Sequence, residues 1–183
     1  MDDLVRQAMA KWPNVPDCYG WLGLDARGNW WMRDDRAQGL GAFDSGAPGA
    51  KGSLLKHDKL IDFIQRNYEH DAQGRWYFQN GPQRVFVELE ATPWVYRVSI
   101  DAHGNGEVFT HSGIKTEVAR RVIDETGRLY LQTSQGLGLV HTQDMAVAAD
   151  LIEQGLWPEP EEEYAADLPR HYGYVRSPAF AQS

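Results

Sequence analysis

The chain has 183 residues with 18 basic and 26 acidic side chains, a formal net charge of −8 at pH 7, and one cysteine. That length suits one domain or two small units with an ordinary buried core. A single Cys18 excludes an internal disulfide and a thiolate zinc cluster, the acid excess argues against a nucleic-acid partner, and no apolar run approaches the roughly 20 residues of a bilayer span. A reduced, cytoplasmic setting is therefore expected, with no membrane association. The first residues, MDDLVRQAMAKW, lack the long apolar segment of a signal peptide.

Residues 2–11 read as a short helix capped by Asp2 or Asp3, with Leu4, Val5, Ala8 and Met9 on one face and Pro13 beyond its end. From Cys18 the period changes. Tyr19–Leu24 and Asn29–Met32 flank the turn Asp25-Ala26-Arg27-Gly28-Asn29 and predict a β-hairpin. Residues 38–53 are rich in Gly and Ala without apolar periodicity, which predicts a flexible loop or insert. Leu54–Tyr68 predicts a helix with Leu60, Ile61, Phe63, Ile64 and Tyr68 as its apolar stripe. Residues 74–79, 84–90 and 94–101 then read as a three-strand antiparallel meander, with Phe86 on its mostly polar face, and 106–111 continues the sheet. Residues 114–123 fit either a helix or a strand, and pairing with 129–133 across Asp124-Glu125-Thr126-Gly127 favours the strand. Leu137–His141 reads as a further strand. Thr142–Gly155 is a helix with Thr142 as cap and Gly155 at its end. After Trp157 an acidic, Pro-rich tail either drapes over the body through Tyr164, Tyr172, Tyr174 and Phe180 or stays mobile.

Two fragments recur in order. Leu24-Asp25-Ala26-Arg27-Gly28-Asn29 is echoed by Ile100-Asp101-Ala102-His103-Gly104-Asn105, and Gly74-Arg75-Trp76-Tyr77-Phe78-Gln79 by Gly127-Arg128-Leu129-Tyr130-Leu131-Gln132. The offsets differ, so a duplication requires an insert in the first copy, and the Gly-rich stretch lies where it must be. Ordinary hairpin-turn chemistry, in which Asp-x-x-Gly recurs by convergence, is the competing explanation.

The segment GRWYFQNGPQRVFVELEATPW (74–94), with Asp25-x-x-Gly28-x-Trp30 before it and Leu129–Thr133, Gly136-Leu137 and a helix ending near Gly155 after it, resembles an uncharacterised bacterial family of unknown function. The resemblance covers about residues 18–155 and rests on fold motifs. It implies two related α+β motifs and a role in ligand binding or signalling. Three departures stand out: Thr92 occupies the position of an acid before Pro93, residues 34–53 are longer than the pattern, and the tail after 157 has no counterpart in it.

The residues themselves contain no convergent catalytic set. Cys18 with a histidine would make a nucleophile and base, yet no sequence feature fixes the partner. The six histidines, at 57, 70, 103, 111, 141 and 171, show no metal-binding spacing, so no metal or cofactor is expected. Gly49-Ala50-Lys51-Gly52-Ser53 and Gly136–His141 both miss the phosphate-loop and dinucleotide patterns. Glu88 and Glu90 share one strand face, which would raise a carboxyl pKa if they met, although a solvated outer face accounts for them more simply. Glu161–Glu163 belong to the solubilising tail. Trp30-Trp31, Trp76 and Trp94 lie in strands, and consecutive residues point to opposite faces, so one of Trp30 and Trp31 leaves the primary core. An exposed Trp beside Arg75 or Arg84 would hold a planar or anionic ligand by stacking and charge-assisted hydrogen bonds. Burial of those rings under the insert or the tail is the structural alternative.

The expected fold is α+β, with antiparallel sheet segments and two packing helices; a diverged duplication of a sheet-plus-helix unit and convergent turn chemistry stand as the two accounts of its echoes. Its parts are an N-terminal helix and linker (1–17), a first unit (18–95) with the insert 34–53, a second unit (96–156) and the tail (157–183). The expected function is that of a non-catalytic ligand-sensing or signalling accessory protein with Trp30, Trp31, Arg75, Trp76, Arg84 and Trp94 as ligand contacts. The alternatives are an adaptor that meets a protein partner through residues 38–53 and the tail, and a hydrolase using Cys18 or the strand carboxylates.

Overall fold

The computed structural model describes residues 1–182 and is α+β. It divides into two compact units. The first comprises Met1–Asp25, Asn29–Glu90 and the chain from Tyr174 onward; the second comprises Ala26–Gly28 and Ala91–Gly173.

The first unit is built on strands β1 (Cys18–Leu24), β2 (Trp30–Met32), β3 (Ser53–Leu54), β4 (Tyr68–His70), β5 (Trp76–Asn80) and β6 (Gln83–Leu89), with helices α1 (Asp3–Lys11), α2 (Asp35–Gly39) and α3 (Asp58–Arg66). Its sheet runs β3-β2-β1-β6-β5-β4, and β1 and β6 are parallel while their other neighbours are antiparallel. The second unit holds β7 (Trp94–Ile100), β8 (Gly106–Thr110), β9 (Lys115–Thr116), β10 (Val118–Ile123), β11 (Leu129–Thr133), β12 (Gly136–Val140) and β13 (Glu161–Glu162), with α4 (Met145–Glu153) and α5 (Leu168–Tyr172). Its sheet runs β13-β10-β11-β12-β7-β8-β9, again with one central parallel pair, β12 and β7. Removing β13, the two sheets have the same strand order and the same pairing directions, with β1 to β6 corresponding in sequence order to β7 to β12. This is the pattern a duplication leaves.

The echoed sequences occupy equivalent turns. In each of four, the aspartate N–H donates to the carbonyl four residues on, and its Oδ1 accepts the N–H of that same residue: Asp25 with Asn29, Asp71 with Arg75, Asp101 with Asn105 and Asp124 with Arg128. The glycine in the fourth position lies at φ between +76° and +84° in every one, a conformation that strains any residue with a Cβ. Asp-x-x-Gly is therefore the device that closes the first-to-second and fourth-to-fifth strand hairpins of each six-strand repeat.

Several sequence expectations are corrected. The meander 74–101 is not one sheet: β5 and β6 pair, but β7 opens the second unit, and Ala91-Thr92-Pro93 is a link between sheets. Within the second unit Thr92 Oγ1 donates to Trp94 O and accepts Leu139 N–H, at 2.7 and 2.9 Å, which fixes the direction in which the chain leaves that link. Residues 115–123 are the strands β9 and β10, as the pairing argument expected. The expected flexible loop at 38–53 is anchored instead. Arg33 is 4% exposed and donates to Ala50 O, Gly20 O and Gly41 O, while Phe43 lies over Gly23, where a Cβ would come within 2.5 Å of its ring. The extra length of the first unit also has two seats rather than one: residues 33–52 against 111–114 between the second and third strands, and residues 55–67, holding α3, against Glu117 alone between the third and fourth.

The cores follow strand alternation. Leu22, Leu24, Trp30, Val87 and Leu89 are buried in the first unit, and Val95, Val122, Leu131, Leu139, Ala148 and Leu151 in the second. Phe86 departs from the sequence reading: it lies on the Arg84 face yet is fully buried, because Tyr19 stacks on it at 4.6 Å with the rings 6° from parallel and two guanidiniums cover it. The tail is draped, as one of the two expectations had it. Trp157 and Leu168 are buried in the second unit and Tyr174 in the first, where Val175 N–H donates to Gly74 O and Leu89 N–H to Arg176 O. Tyr164 and Phe180 remain exposed.

Candidate ligand site

The sequence-nominated residues separate into four places. Trp30 and Trp76 belong to the core of the first unit, both meeting the ring of Tyr68, at 5.2 and 4.8 Å. Arg75 and Arg84 lie on the opposite face of that sheet, over Phe86 at 4.8 and 5.3 Å, and each is neutralised, Arg75 by Asp71 and Arg84 by Asp17. The ring that Arg84 also covers is Tyr77. Trp31 is half-buried, its indole N–H donating to Asp25 Oδ2 and its ring beneath Lys51. Trp94 lies in the second unit, 4% exposed, with its N–H donated to Gln135 O.

The nucleophile and carboxylate candidates are likewise separate. Burial pushes the half-buried Cys18 thiol up, away from the thiolate that reactivity needs. Glu88 is 3% exposed, which corrects the solvated outer face expected for it. Burial raises its carboxyl, opposed by hydrogen bonds from Ser177 Oγ and Ala179 N–H and by the charge of Arg33; Glu90 plays no part and is instead paired with Lys51. Among the described residues no group of three or more His, Cys, Asp or Glu side chains is arranged to hold a metal ion.

A different place, in the second unit, has polar groups with nothing to bind. β9 and β10 are on opposite sides of the sheet order, yet Glu117 alone joins them, so Thr116 and Val118 lie within about 7 Å of each other. The sheet therefore curls until β8 and β9 on one side approach β10 on the other, leaving a seam. A cavity of about 110 Å³ opens there, lined by Gly106, Val108, Thr116, Arg121 and Trp157 with the charged side chains of Glu107, Lys115 and Glu117. Taking about 30 Å³ per liquid water, it has room for three or four waters or one compact anion.

Arg121 is the centre of this cavity. Strand alternation sends Arg120 outward to Glu161 and Glu163, and turns Arg121 the other way, over the ring of Trp157 at 4.6 Å. Its Nε is buried with no hydrogen-bond partner, and so is Oγ1 of Thr116, another residue lining the cavity. Burial depresses the proton affinity of Arg121, and no carboxylate restores it. Arg33 makes the contrast: it suffers the same depression from burial, but Glu88 opposes it and three carbonyls take its N–H groups. Glu107 is held by Lys115 rather than by Arg121. Gly106 makes room, since a Cβ there would come within 2.8 Å of Trp157 Nε1.

The larger opening of the second unit, about 580 Å³, is a groove beside the β10–β11 turn lined by Ile123, Asp124, Glu125, Gly127, Glu162, Glu163 and Tyr164. Size does not decide between them. Asp124 accepts from Thr126, Arg128 and Tyr130, Glu125 from Ala165 N–H, and Glu163 from His171 and Tyr172, so most of its acids are already committed to holding turns and tail. In the seam, by contrast, a buried donor and a buried hydroxyl wait for a partner, a state that costs free energy unless something fills it. Sequence reasoning missed Arg121, Thr116 and Trp157. The signal was the pair Arg120-Arg121 in a period-2 segment, which puts one of two cations on the inner side of the strand.

Comparison with known proteins adds family but no chemistry. No curated protein matches. Two solved structures, a DUF1285 family protein from Shewanella baltica OS155 and another from Silicibacter pomeroyi DSS-3, are similar at 13% and 14% identity, each with a TM-score of 0.49. They cover 74% and 82% of this chain and 95% and 85% of their own. The family model DUF2944, described as "Protein of unknown function (DUF2946)", matches residues 1–179, so most of the tail lies within the matched region. This chain belongs to that uncharacterised family.

Proposed function

We propose that this protein is a non-catalytic ligand-binding domain of a reduced, cytoplasmic setting, and that its ligand occupies the seam of the second unit. The observation that carries this reading is the meeting, among the residues lining one cavity, of a half-buried arginine whose Nε and a threonine whose hydroxyl have no hydrogen-bond partner, with an indole ring beneath the arginine. A ligand supplies the acceptors they lack, and stacking under the guanidinium holds Arg121 in place before the ligand arrives. A sensing or accessory role fits a site of this kind, since what it offers is recognition by a cation, a hydroxyl and a ring, with Glu107 held by Lys115. The nominated nucleophile, Cys18, has a thiol whose pKa moves the wrong way for catalysis.

The test is a thermal-shift screen of the full chain against a metabolite collection, repeated with Arg121→Gln. A ligand present at 100 times its dissociation constant stabilises by about 2.7 kcal/mol, which is readily seen as a raised melting temperature. Hits that vanish in Arg121→Gln support the reading. A collection that shifts neither protein, or shifts both equally, removes it.

A further inference from the structure

We infer that the group recognised in the seam is an oxyanion, a carboxylate or a phosphate, taken by the Arg121 guanidinium and the Thr116 hydroxyl; this rests on the reading of the seam as a ligand site.

The donor set selects the charge. Arg121 offers only N–H donors and no acceptor, and remains cationic at any physiological pH. Thr116 can donate its hydroxyl hydrogen to the same oxygen or to a neighbouring one, and Trp157 Nε1 is a donor only. A neutral or cationic ligand would leave the guanidinium uncompensated. A planar carboxylate or a tetrahedral phosphate matches the fork of Arg121, and both are compact enough for the cavity. The charges around the rim do not cancel this preference. Glu107 is tied to Lys115, and Glu117 is exposed to water, where its repulsion is screened, whereas Arg121 faces the site from a half-buried position. The local architecture gives the contact a structural consequence as well. Thr116 ends β9 and Arg121 lies in β10, so a bound oxyanion bridges the two strands that a single residue, Glu117, joins.

The experiment is calorimetric titration of the full chain with inorganic phosphate and, separately, acetate, at ionic strength matched with sodium chloride. Three variants accompany it: Arg121→Gln, Arg121→Lys and Thr116→Val. The wild type is expected to bind at least one of the two anions saturably, and the arm that responds identifies whether the ligand class is phosphate or carboxylate. Arg121→Gln should weaken that binding by about tenfold or more, and Thr116→Val by about fivefold, the usual effects of losing a charge-assisted and a neutral hydrogen bond. Arg121→Lys should fall between wild type and Arg121→Gln because the charge stays and the fork is lost. Circular dichroism of each variant confirms that it is folded; should Arg121→Gln fail to fold, the lysine and valine variants carry the test. Equal binding by wild type and all variants means an adventitious ion only and overturns the inference. Failure of both anions to bind, with neutral or cationic hits in the metabolite screen that Arg121→Gln abolishes, overturns the oxyanion and leaves the seam as a ligand site. Failure of the anions together with a screen that finds nothing overturns both.

Discussion

Replacing Arg33 with alanine should destabilise the first unit more than any surface substitution, because this side chain converts the Gly-rich insert from loose chain into ordered structure. Its guanidinium spans three carbonyls at 2.8, 3.3 and 2.6 Å, two from the insert (Ala50, Gly41) and one from β1 (Gly20). A hydrogen bond with one charged partner contributes about 1.5–3 kcal/mol, so three give a gross loss several times the effect of an ordinary mutation. The net is smaller. Truncation also returns the desolvation that burying the cation costs, and the insert can lift to let water reach its carbonyls, which leaves about 3–5 kcal/mol, the range found when one member of a buried charged set is removed. Glu88 adds a signature that an ordinary packing defect lacks. Its carboxyl is raised by burial and Arg33 opposes that rise, so the folded state keeps a proton that the unfolded chain releases near the usual glutamate value. Stability contributed by that proton is present below the ordinary glutamate value and is lost as pH rises through the raised one. Arg33→Ala should steepen and extend this fall to higher pH, and Glu88→Gln should abolish it. Urea titrations of wild type, Arg33→Ala, Glu88→Gln and the double variant at several pH values read all of this, with an unchanged denaturant slope showing that the unfolded state is not the cause. The double variant should be more stable than Arg33→Ala by about 1 kcal/mol or more, since it no longer buries an uncompensated carboxylate. An Arg33→Ala protein within about 1 kcal/mol of wild type, or a double variant no better than the single, would refute this account of the insert.

Three further substitutions test the second unit. Gly138→Ala places a Cβ 2.4 Å from the ring of the buried Tyr96, whose hydroxyl is itself fixed by Thr133 and Gly136, and should cost about 1–3 kcal/mol in a urea titration. Asp124→Ala removes the acceptor of three N–H or hydroxyl donors besides the buried Tyr130 hydroxyl contact, and should cost about 1–3 kcal/mol; Asp101→Ala, in a more exposed turn of the same type, should cost visibly less in the same assay. Asp144 is also buried: burial pushes its carboxyl up, but Arg97, bound through two nitrogens, and Val98 N–H outweigh this and hold it low. Its stabilisation is present above the ordinary aspartate value and is lost as pH falls through the depressed one, so Arg97→Met should move the acid unfolding midpoint to higher pH.

How much of this was legible in the sequence depended on the range of the interactions involved. The turns at Asp25, Asp101 and Asp124 were readable because each is closed within five residues, and an Asp with a glycine three positions later carries its own geometry; the same turn at Asp71 was missed because the helix before it was drawn to Tyr68. Helix α3 was readable from its apolar stripe, but only over Asp58–Arg66: Leu54 and Tyr68, assigned to the same helix, lie in β3 and β4; β10 was readable from its hairpin with β11. The parallel pairs β1–β6 and β7–β12 were not, since nothing local to Leu22 indicates Val87 as its partner, and so β6 and β7, adjacent in sequence, were read as neighbours in one sheet. Phe86 and Glu88 failed for a related reason. Alternation assigns a face correctly but cannot say what covers it, and here Tyr19 with two arginines covers one residue and the tail segment at Ser177 the other. Trp30, Trp76 and Trp94 drew attention by their chemistry, yet their size is what the cores use.

The repeat explains why the seam should hold the site. In each unit a six-strand order places the third and fourth strands at opposite ends, joined by one connection; in the second unit β13 pairs beyond β10, at Val122 and Ile123. Unpaired edges are costly when left bare and are usually covered. In the first unit the connection 55–67 carries α3, which packs on the sheet through Ile64 and through Phe63 set edge-on to Phe78 at 5.4 Å. In the second unit the connection is Glu117 and no helix can form in it; cover comes from Trp157, which arrives from beyond α4 and leaves the cavity beside Arg121. The same topology with a shorter connection thus produces a space that the other unit fills with its own side chains. A cation placed at that space, with neither the carbonyls given to Arg33 nor the carboxylates given to Arg75 and Arg84, has a physical reason to wait for an anion from outside the chain.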